Sequence, residues 1–206
     1  MAMLLKFEQV VVEPLGRISA GLAAGEMRVL QAPTAEAKIQ LIELIVGEQA
    51  PAQGSVLLQG VPVAAVKPGS IGWVPANGGL ISNLKAWENI TLPLWYHGKR
   101  RQVSETEAAV AAWLGELGMA QAEWEHFMAS PAARLSPLER KLAGLLRGLL
   151  LEPTLLVVDA SLFDEVGGER VQAWIAVLEK FVRAAEPRAV LAVAHASTPL
   201  PWTRLE

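Results

Sequence analysis

The sequence predicts an α/β fold with a mostly parallel sheet flanked by helices. Two segments in the carboxyl-terminal third, TLLVVDA and AVLAVAH, are continuous apolar runs without alternation, typical of parallel strands that are buried on both faces. Strand and helix patterns alternate at both ends of the chain, and a block of helical periodicity separates them. This order favours a sheet core that carries an inserted helical subdomain.

Most of the predicted strands lie in the first 85 residues. Residues 3–12 and 27–31 are apolar and partly β-branched, as expected of strands. The segment KIQLIELIVG has helical spacing and ends in glycine. Residues 55–63 resemble a hairpin that turns at Gly60, and residues 70–76 resemble another short strand. A small antiparallel part is therefore expected near the amino terminus.

Helical periodicity dominates residues 85–130, and a further helix is predicted to begin at Ser136. VQAWIAVLEKFV, closer to the carboxyl terminus, has the spacing of an amphipathic helix. We expect a single domain over residues 1–206. Its core is predicted at about 1–84 and 150–206, and its helical subdomain at about 85–149.

Composition excludes several classes of function. The net charge is −3 and Lys and Arg are dispersed, so the basic surface of a nucleic-acid-binding protein is missing. The absence of cysteine excludes disulfides and thiolate metal sites. With no apolar run of membrane-spanning length and no signal-peptide pattern, the chain is expected to be cytoplasmic. Seven tryptophans indicate either a rich core or a surface that a partner covers.

Four segments, in order and at suitable spacing, resemble the motifs of ABC transporter ATPases over nearly the whole chain. VLQAPTAEAKIQLIELIVGEQAPAQGSVLLQG resembles the phosphate-loop region, and IGWVPANGGLISNLKAWENITLPL resembles the Q-loop with the start of the helical subdomain. RLSPLERKLAGLLRGLLLEPTLLVVDAS resembles the signature helix and Walker B strand, and VLAVAH the strand of the switch histidine. Residues 78–94 are most similar to ATPases of Mce- or Mla-type lipid transport systems. The resemblance implies an ABC-ATPase-like core.

The phosphate loop of this family needs glycines, a lysine for the phosphates and a hydroxyl for Mg²⁺. Only Lys38 matches here, because alanine stands at the three glycine positions and Ile39 at the metal-ligand position. Glu36 adds a carboxylate in the first helical turn, where it would repel an anion. We expect a helix start capped by Thr34, with Lys38 paired with Asp159 or Glu36.

Two further positions that the family uses for hydrolysis hold alanine. Ala76 stands at the Q-loop glutamine, and Ala160 stands at the general-base glutamate that follows Asp159. Acidic residues within 164–169 could serve as substitutes, but they fit a solvated loop and helix start better. No catalytic residue, metal ligand or cofactor is therefore expected.

The signature motif is replaced by Ser136–Glu139, a capping box with Pro137 at the first helical position. These residues start a helix well but remove the close backbone approach that a phosphate needs. His195 matches the switch histidine by position, with a core histidine at a strand end as the alternative. Lys38, Asp159 and His195 are the remaining nucleotide-site positions.

In the family, a cleft beside the Q-loop receives a helix of the membrane permease. The resemblance places five apolar or aromatic residues in the matching stretch, whose alternative location is the subdomain core: Leu80, Leu84, Trp87, Trp95 and Tyr96.

These features predict a non-catalytic (pseudo-ATPase) subunit of a membrane transport complex, with lipid as a candidate cargo. The expected partners are a permease and either an active ABC ATPase or a second copy, at the inner face of the cell membrane. One alternative is a weakly hydrolysing subunit that binds ATP and Mg²⁺ through Lys38 and Asp159. Another is a soluble interaction module that reuses the fold.

Overall fold

The structure is a computed structural model that describes residues 3–98, 102–195 and 200–205. Its strands are β1 (Met3–Val12), β2 (Gly16–Ala23), β3 (Met27–Gln31), β4 (Ser55–Leu58), β5 (Val61–Pro62), β6 (Ile71–Val74), β7 (Leu155–Asp159) and β8 (Ala189–Ala194). Its α-helices are α1 (Ala35–Val46), α2 (Ala86–Tyr96), α3 (Val103–Glu116), α4 (Trp124–Ala129), α5 (Pro137–Leu150) and α6 (Gly168–Arg183).

The strands form two four-stranded sheets. One is antiparallel with the order β2-β1-β4-β5, and the other is parallel with the order β3-β8-β7-β6. Every residue of β7 and β8 is buried, as their unbroken apolar sequences predict. Gly60 turns the β4–β5 hairpin at φ +78°, a conformation that glycine adopts without strain.

Strand β2 lies outside the strands predicted from the sequence. Its sequence, GRISAGLA, is dominated by small residues, and its buried large side chains are Ile18 and Leu22. The apolar alternation that would indicate a strand is therefore weak. Pairing with β1 forms this strand, with a register shift between Phe7 and Val10. Tertiary hydrogen bonding thus decides what local pattern does not.

The parallel sheet separates two hydrophobic clusters. Leu155 and Val157 of β7 pack with α1 and the antiparallel sheet, whereas Leu156 and Val158 face the cluster that includes α2–α6. Trp174 of α6 is fully buried in that second cluster. Helices α2–α5 lie between β6 and β7 in the chain, and α5 contacts both α2 and β6. None of the helices within the described residues has the length and apolar character needed to cross a membrane.

Candidate functional site

A buried ion pair joins the start of α1 to the end of β7. The Lys38 Nζ donates to both carboxylate oxygens of Asp159, at 2.9 Å to Oδ1 and 2.8 Å to Oδ2. The two side chains are only 9% and 10% exposed. Asp159 Oδ1 also accepts the backbone N–H of Ser161 at 2.9 Å. The pairing expected for Lys38 is confirmed, and Asp159 is its partner.

The first turn of α1 is capped by residues of the chain itself. Thr34 is the N-cap, and its hydroxyl accepts the N–H of Ala37 at 3.1 Å. Glu36 is exposed, and its own backbone N–H, the Thr34 hydroxyl and the charge of His195 together hold the pKa of its carboxyl below the ordinary value. A negative charge of the chain itself therefore stands at the positive end of this helix.

His195 follows β8 and is exposed, so the core-histidine alternative is wrong. The Ala32 N–H, three residues before α1, donates to the Ala194 carbonyl at 2.6 Å, so His195 lies at the end of β8 next to the segment that leads into α1. We define the phosphate-loop remnant as Thr34, Glu36, Lys38, Asp159 and His195. The structure thus brings together the three positions predicted to remain from a nucleotide site.

The residues directly after Asp159 begin with alanine at the position of the general-base glutamate. Ala160 is 3% exposed and begins a single 3₁₀ turn. The acidic residues Asp164 and Glu165 are exposed in the loop before α6. The Lys141 Nζ donates to the main-chain carbonyl of Asp164 at 2.5 Å. The acidic residues of the loop are therefore solvated, as predicted, and the Lys141 contact from α5 is an additional feature of the structure.

The capping box at the start of α5 is confirmed. Ser136 Oγ accepts the N–H of Glu139 at 3.3 Å, and Glu139 Oε2 accepts the N–H of Ser136 at 2.7 Å. Pro137 stands at the first helical position. Pro137 thus has no N–H to offer a ligand, and the N–H of Glu139 is used by the cap.

A second feature, which we call the aromatic groove, lies among helices α2–α5, the helical part of the chain. It is a cavity of about 470 Å³ between α2, α3 and α4. Its apolar walls are Trp87, Val110, Leu114, Trp124 and Met128, and the charged residues at the cavity are Lys85, Glu107 and Glu125. Trp124 is held in place by an Nε1–H donated to the Met119 carbonyl at 3.1 Å.

The five residues predicted for partner contact fall into three environments. Trp87 lines the aromatic groove and packs against the core. Leu80 and Leu84 are half-buried in the segment before α2. Trp95 and Tyr96 are 67% and 84% exposed, so the core alternative is wrong for both.

Sequence reasoning missed the groove residues of α3 and α4. Val110 and Leu114 are four residues apart on α3, a spacing that identifies a helix face but not what the face contacts. Trp124 and Met128 repeat the same spacing on the short helix α4. Their meeting with Trp87 depends on how three helices pack.

Comparison with known sequences gives a consistent result. A family model described as ABC transporter matches residues 15–162. The molybdate/tungstate import ATP-binding protein WtpC of Archaeoglobus fulgidus is 32% identical over 136 residues, 65% of this chain and 53% of that protein. The taurine import ATP-binding protein TauB of Pseudomonas aeruginosa is 30% identical over 165 residues, 79% of this chain and 60% of that protein. The chain spans about half the length of the curated relatives it matches.

Solved structures share the fold at low sequence identity. An ATP-binding subunit of an ABC transporter superposes with a TM-score of 0.78 at 19% identity, covering 93% of this chain and 79% of that chain. A dimeric ATP-binding cassette in a post-hydrolysis state, bound to ADP and phosphate, gives 0.73 at 18% identity, covering 93% and 88%. The predicted ABC-ATPase-like α/β fold is confirmed.

Proposed function

Since the chain belongs to the ABC transporter family, we propose that it is a non-hydrolysing subunit of a membrane transport complex, with a structural or regulatory role. The observation that carries the proposal is the buried Lys38–Asp159 pair. Lys38 is the residue that matches the phosphate-binding lysine, and its ammonium group is already neutralised by an internal carboxylate. An ATP phosphate would have to break this pair and leave Asp159 buried without its cation.

The other groups around the phosphate-loop remnant do not fit ATP with Mg²⁺. Glu36 places a carboxylate where the family accepts phosphate, and two anions repel each other there. Ile39, which is 54% exposed, offers no oxygen to a metal. Ala76 and Ala160 have no group that could orient or deprotonate water. Binding and hydrolysis are both disfavoured, by separate replacements.

The test is phosphate release by the purified chain with ATP and Mg²⁺, compared with the Lys38→Ala variant. General-base catalysis alone contributes about 10²–10⁴-fold to the reaction rate. Where catalytic groups act as a unit, replacing one of them also removes the benefit of the others. We therefore expect the same background rate from both proteins. Mg²⁺-dependent release that exceeds the Lys38→Ala background would contradict the proposal and favour the weakly hydrolysing alternative.

We propose that the aromatic groove and the exposed aromatic residues of α2 dock the chain on a permease at the inner face of the cell membrane. Trp87 and Trp124 expose apolar rings in a concave surface, the arrangement that partner helices occupy in other complexes. Glu107 and Glu125 at the groove suit a basic residue on the partner. Because no nucleotide is needed for these contacts, the complex should persist in nucleotide-free buffer.

An active ATPase or a second copy remains the predicted second partner. Of the two, only an active ATPase would give a transporter that contains this non-hydrolysing chain an energy source. Lipid as the cargo also stays a prediction. The two relatives described above are named for import of molybdate or tungstate and of taurine. Identification of the permease by copurification from mild detergent would decide between a lipid and a small anion.

A further inference from the structure

Residues 200–205 lie along the outer edge of the parallel sheet. We call this segment the strap. Its backbone bonds to β3, where the Val29 N–H donates to Thr203 O at 3.1 Å and the Leu205 N–H donates to Val29 O at 2.8 Å. The Arg28 guanidinium also donates to the Thr203 hydroxyl. The strap therefore covers part of the edge of β3 that faces away from β8.

Side chains of the strap reach both hydrophobic clusters that the parallel sheet separates. Leu200 is 7% exposed, Trp202 is half-buried, and both pack in the cluster that includes α2–α6. Leu205 packs against the other cluster, which includes α1. The strap is therefore anchored on both faces of the sheet as well as through its backbone.

Trp202 contacts the turn that follows Asp159. Its ring packs edge-on against Phe163, with 6.4 Å between the ring centroids. Phe163 is 2% exposed and is the last residue of the 3₁₀ turn after β7. The same turn contains Ser161, whose N–H donates to Asp159 Oδ1 at 2.9 Å. The strap thus covers the turn that helps to orient the Asp159 carboxylate.

The turn has two further contacts, which come from other directions. The Lys141 Nζ of α5 donates to Asp164 O at 2.5 Å and lies 3.4 Å from Ser161 O. The Trp174 ring of α6 packs against Phe163 with 6.2 Å between the ring centroids. These contacts tie the turn to α5 and α6, whereas the strap ties it to β3.

The link to β3 matters because β3 leads directly into the phosphate-loop remnant. Lys38 lies in α1, the next element after β3, and Asp159 is the last residue of β7. The strap bonds the first of these two segments at Val29 and packs against the turn that follows the second. A buried ion pair offsets the lost hydration of its charges only when its geometry is well kept. A contact that holds both segments therefore favours the pair.

We propose that the strap is a clamp that keeps the Lys38–Asp159 pair closed in the nucleotide-free protein. Release of Trp202 would uncover Phe163 and free one side of the turn. The Ser161–Asp159 hydrogen bond would then open more often, and the pair would lose part of its fixed geometry. The inference rests on the proposed function, because it names the segment that holds shut the site from which ATP is excluded.

Amide hydrogen exchange, followed by NMR without nucleotide, tests the clamp. The N–H groups of Val29 and Leu205 report on the strap, that of Ser161 reports on the turn, and that of Val157 in β7 reports on global unfolding. Trp202→Ala removes the ring and leaves the backbone of the strap. We expect exchange at Val29, Leu205 and Ser161 to become on the order of tenfold faster, with a smaller change at Val157.

Trp113→Ala is the matched control. Trp113 is also half-buried and packs against the same hydrophobic cluster, but it lies on α3. Its removal should not accelerate exchange at Ser161 beyond the change in global unfolding. If Trp202→Ala does not fold, Leu205→Ala removes the anchor on the other face and should accelerate exchange at Val29 and Ser161 in the same way.

The Lys38 ammonium group gives a direct readout of the pair. Its protons exchange slowly with water while the group is buried and bonded to Asp159. The ¹H–¹⁵N signal of this group should therefore be visible in the parent and in Trp113→Ala. It should be weakened or lost in Trp202→Ala.

Two results would overturn the proposal. One is exchange at Ser161 that stays at the parent rate while Val29 and Leu205 accelerate, because the strap would then act independently of the turn. The other is an equal acceleration of Ser161 in Trp202→Ala and Trp113→Ala. Either result contradicts the clamp alone. Mg²⁺-dependent phosphate release from ATP by the parent would instead contradict the proposed function and leave the clamp of the nucleotide-free protein intact.

Discussion

The phosphate-loop remnant and the aromatic groove differ in where their side chains find partners. In the remnant, Lys38 bonds Asp159 and the Thr34 hydroxyl caps α1, so the polar groups are satisfied within the chain. In the groove, the rings of Trp87 and Trp124 line an open apolar cavity. Groups that are satisfied internally support the fold, whereas an open apolar surface indicates a partner. This difference supports the proposed docking surface in the helical part over a nucleotide site at the remnant.

The same difference appears in energetic terms. A buried ion pair gains Coulomb energy but loses hydration, so its net contribution to stability is small. Removing one member is costly, because the other charge stays buried alone. The groove has the opposite property, since its apolar area gains free energy only when a partner covers it.

The largest predicted effect is on the stability of the Lys38→Ala variant. We expect the free energy of unfolding to fall by about 3–5 kcal/mol, because Asp159 would be left as an unpaired buried charge. Chemical denaturation of the parent and variant measures the change. Lys67→Ala removes an exposed lysine from the same part of the chain and should change stability by less than about 0.5 kcal/mol.

The double variant Lys38→Ala with Asp159→Ala sharpens this comparison. If the loss arises from an orphaned charge, the double variant should be less destabilised than the sum of the two single variants. A Lys38→Ala variant as stable as Lys67→Ala would show that the pair does not support the fold. The remnant would then be free to serve a ligand.

The parallel sheet was predictable because unbroken apolar runs such as that of β7 are typical of parallel strands that are buried on both faces. The antiparallel sheet was predictable only in part, since β2 is formed by its pairing with β1 and not by a local pattern. The capping box at Ser136 was predictable because a cap depends on residues three positions apart.

The candidate site shows the same division between local and tertiary information. The choice of Asp159 over Glu36 as the partner of Lys38 needed the structure, because it depends on how β7 meets the start of α1. The aromatic groove also needed it, since its walls come from three helices. The family resemblance offered Trp87 as a partner-contact candidate, with the subdomain core as the alternative, but it did not supply Trp124.

The second prediction compares two tryptophans of α2, one in the groove and one on the open surface. Trp87→Ala should lower the free energy of unfolding by about 1–3 kcal/mol, less than for a fully buried tryptophan, since Trp87 is half-buried. Trp95→Ala should change it by less than about 0.5 kcal/mol, because the side chain is 67% exposed. Thermal and chemical unfolding of the isolated chain measure both.

The complex extracted in mild detergent gives the second readout for these variants. If both residues contact the permease, each variant should copurify less of it, and Trp95→Ala would do so without loss of stability. Normal copurification of a stable Trp95→Ala variant would restrict the interface to the groove. Normal copurification of a folded Trp87→Ala variant would contradict docking through the groove.

The smallest predicted effect returns to the phosphate-loop remnant. Thr34→Ala removes the N-cap of α1 and should lower stability by about 1 kcal/mol, whereas Thr34→Ser keeps the hydroxyl and should stay close to the parent. The Thr34 hydroxyl is also one of the groups that lower the pKa of Glu36, after the residue's own backbone N–H. Thr34→Ala should therefore raise that pKa toward the ordinary glutamate value, which a carboxyl-detected NMR titration would measure.

The sign of the pH dependence follows from this shift. A carboxyl whose pKa is lower in the folded state stabilises the fold above its ordinary pKa, and this contribution is lost as pH falls through the lowered value. Acidification should therefore remove the contribution of the ionised Glu36 carboxyl to the free energy of unfolding. Because this contribution is larger in the parent than in Thr34→Ala, the difference in stability between the two proteins should narrow at low pH. A difference that is constant with pH would mean that Thr34 acts on the helix backbone alone. The Thr34 hydroxyl would then have no part in keeping the Glu36 carboxyl ionised, although the carboxylate would still repel phosphate.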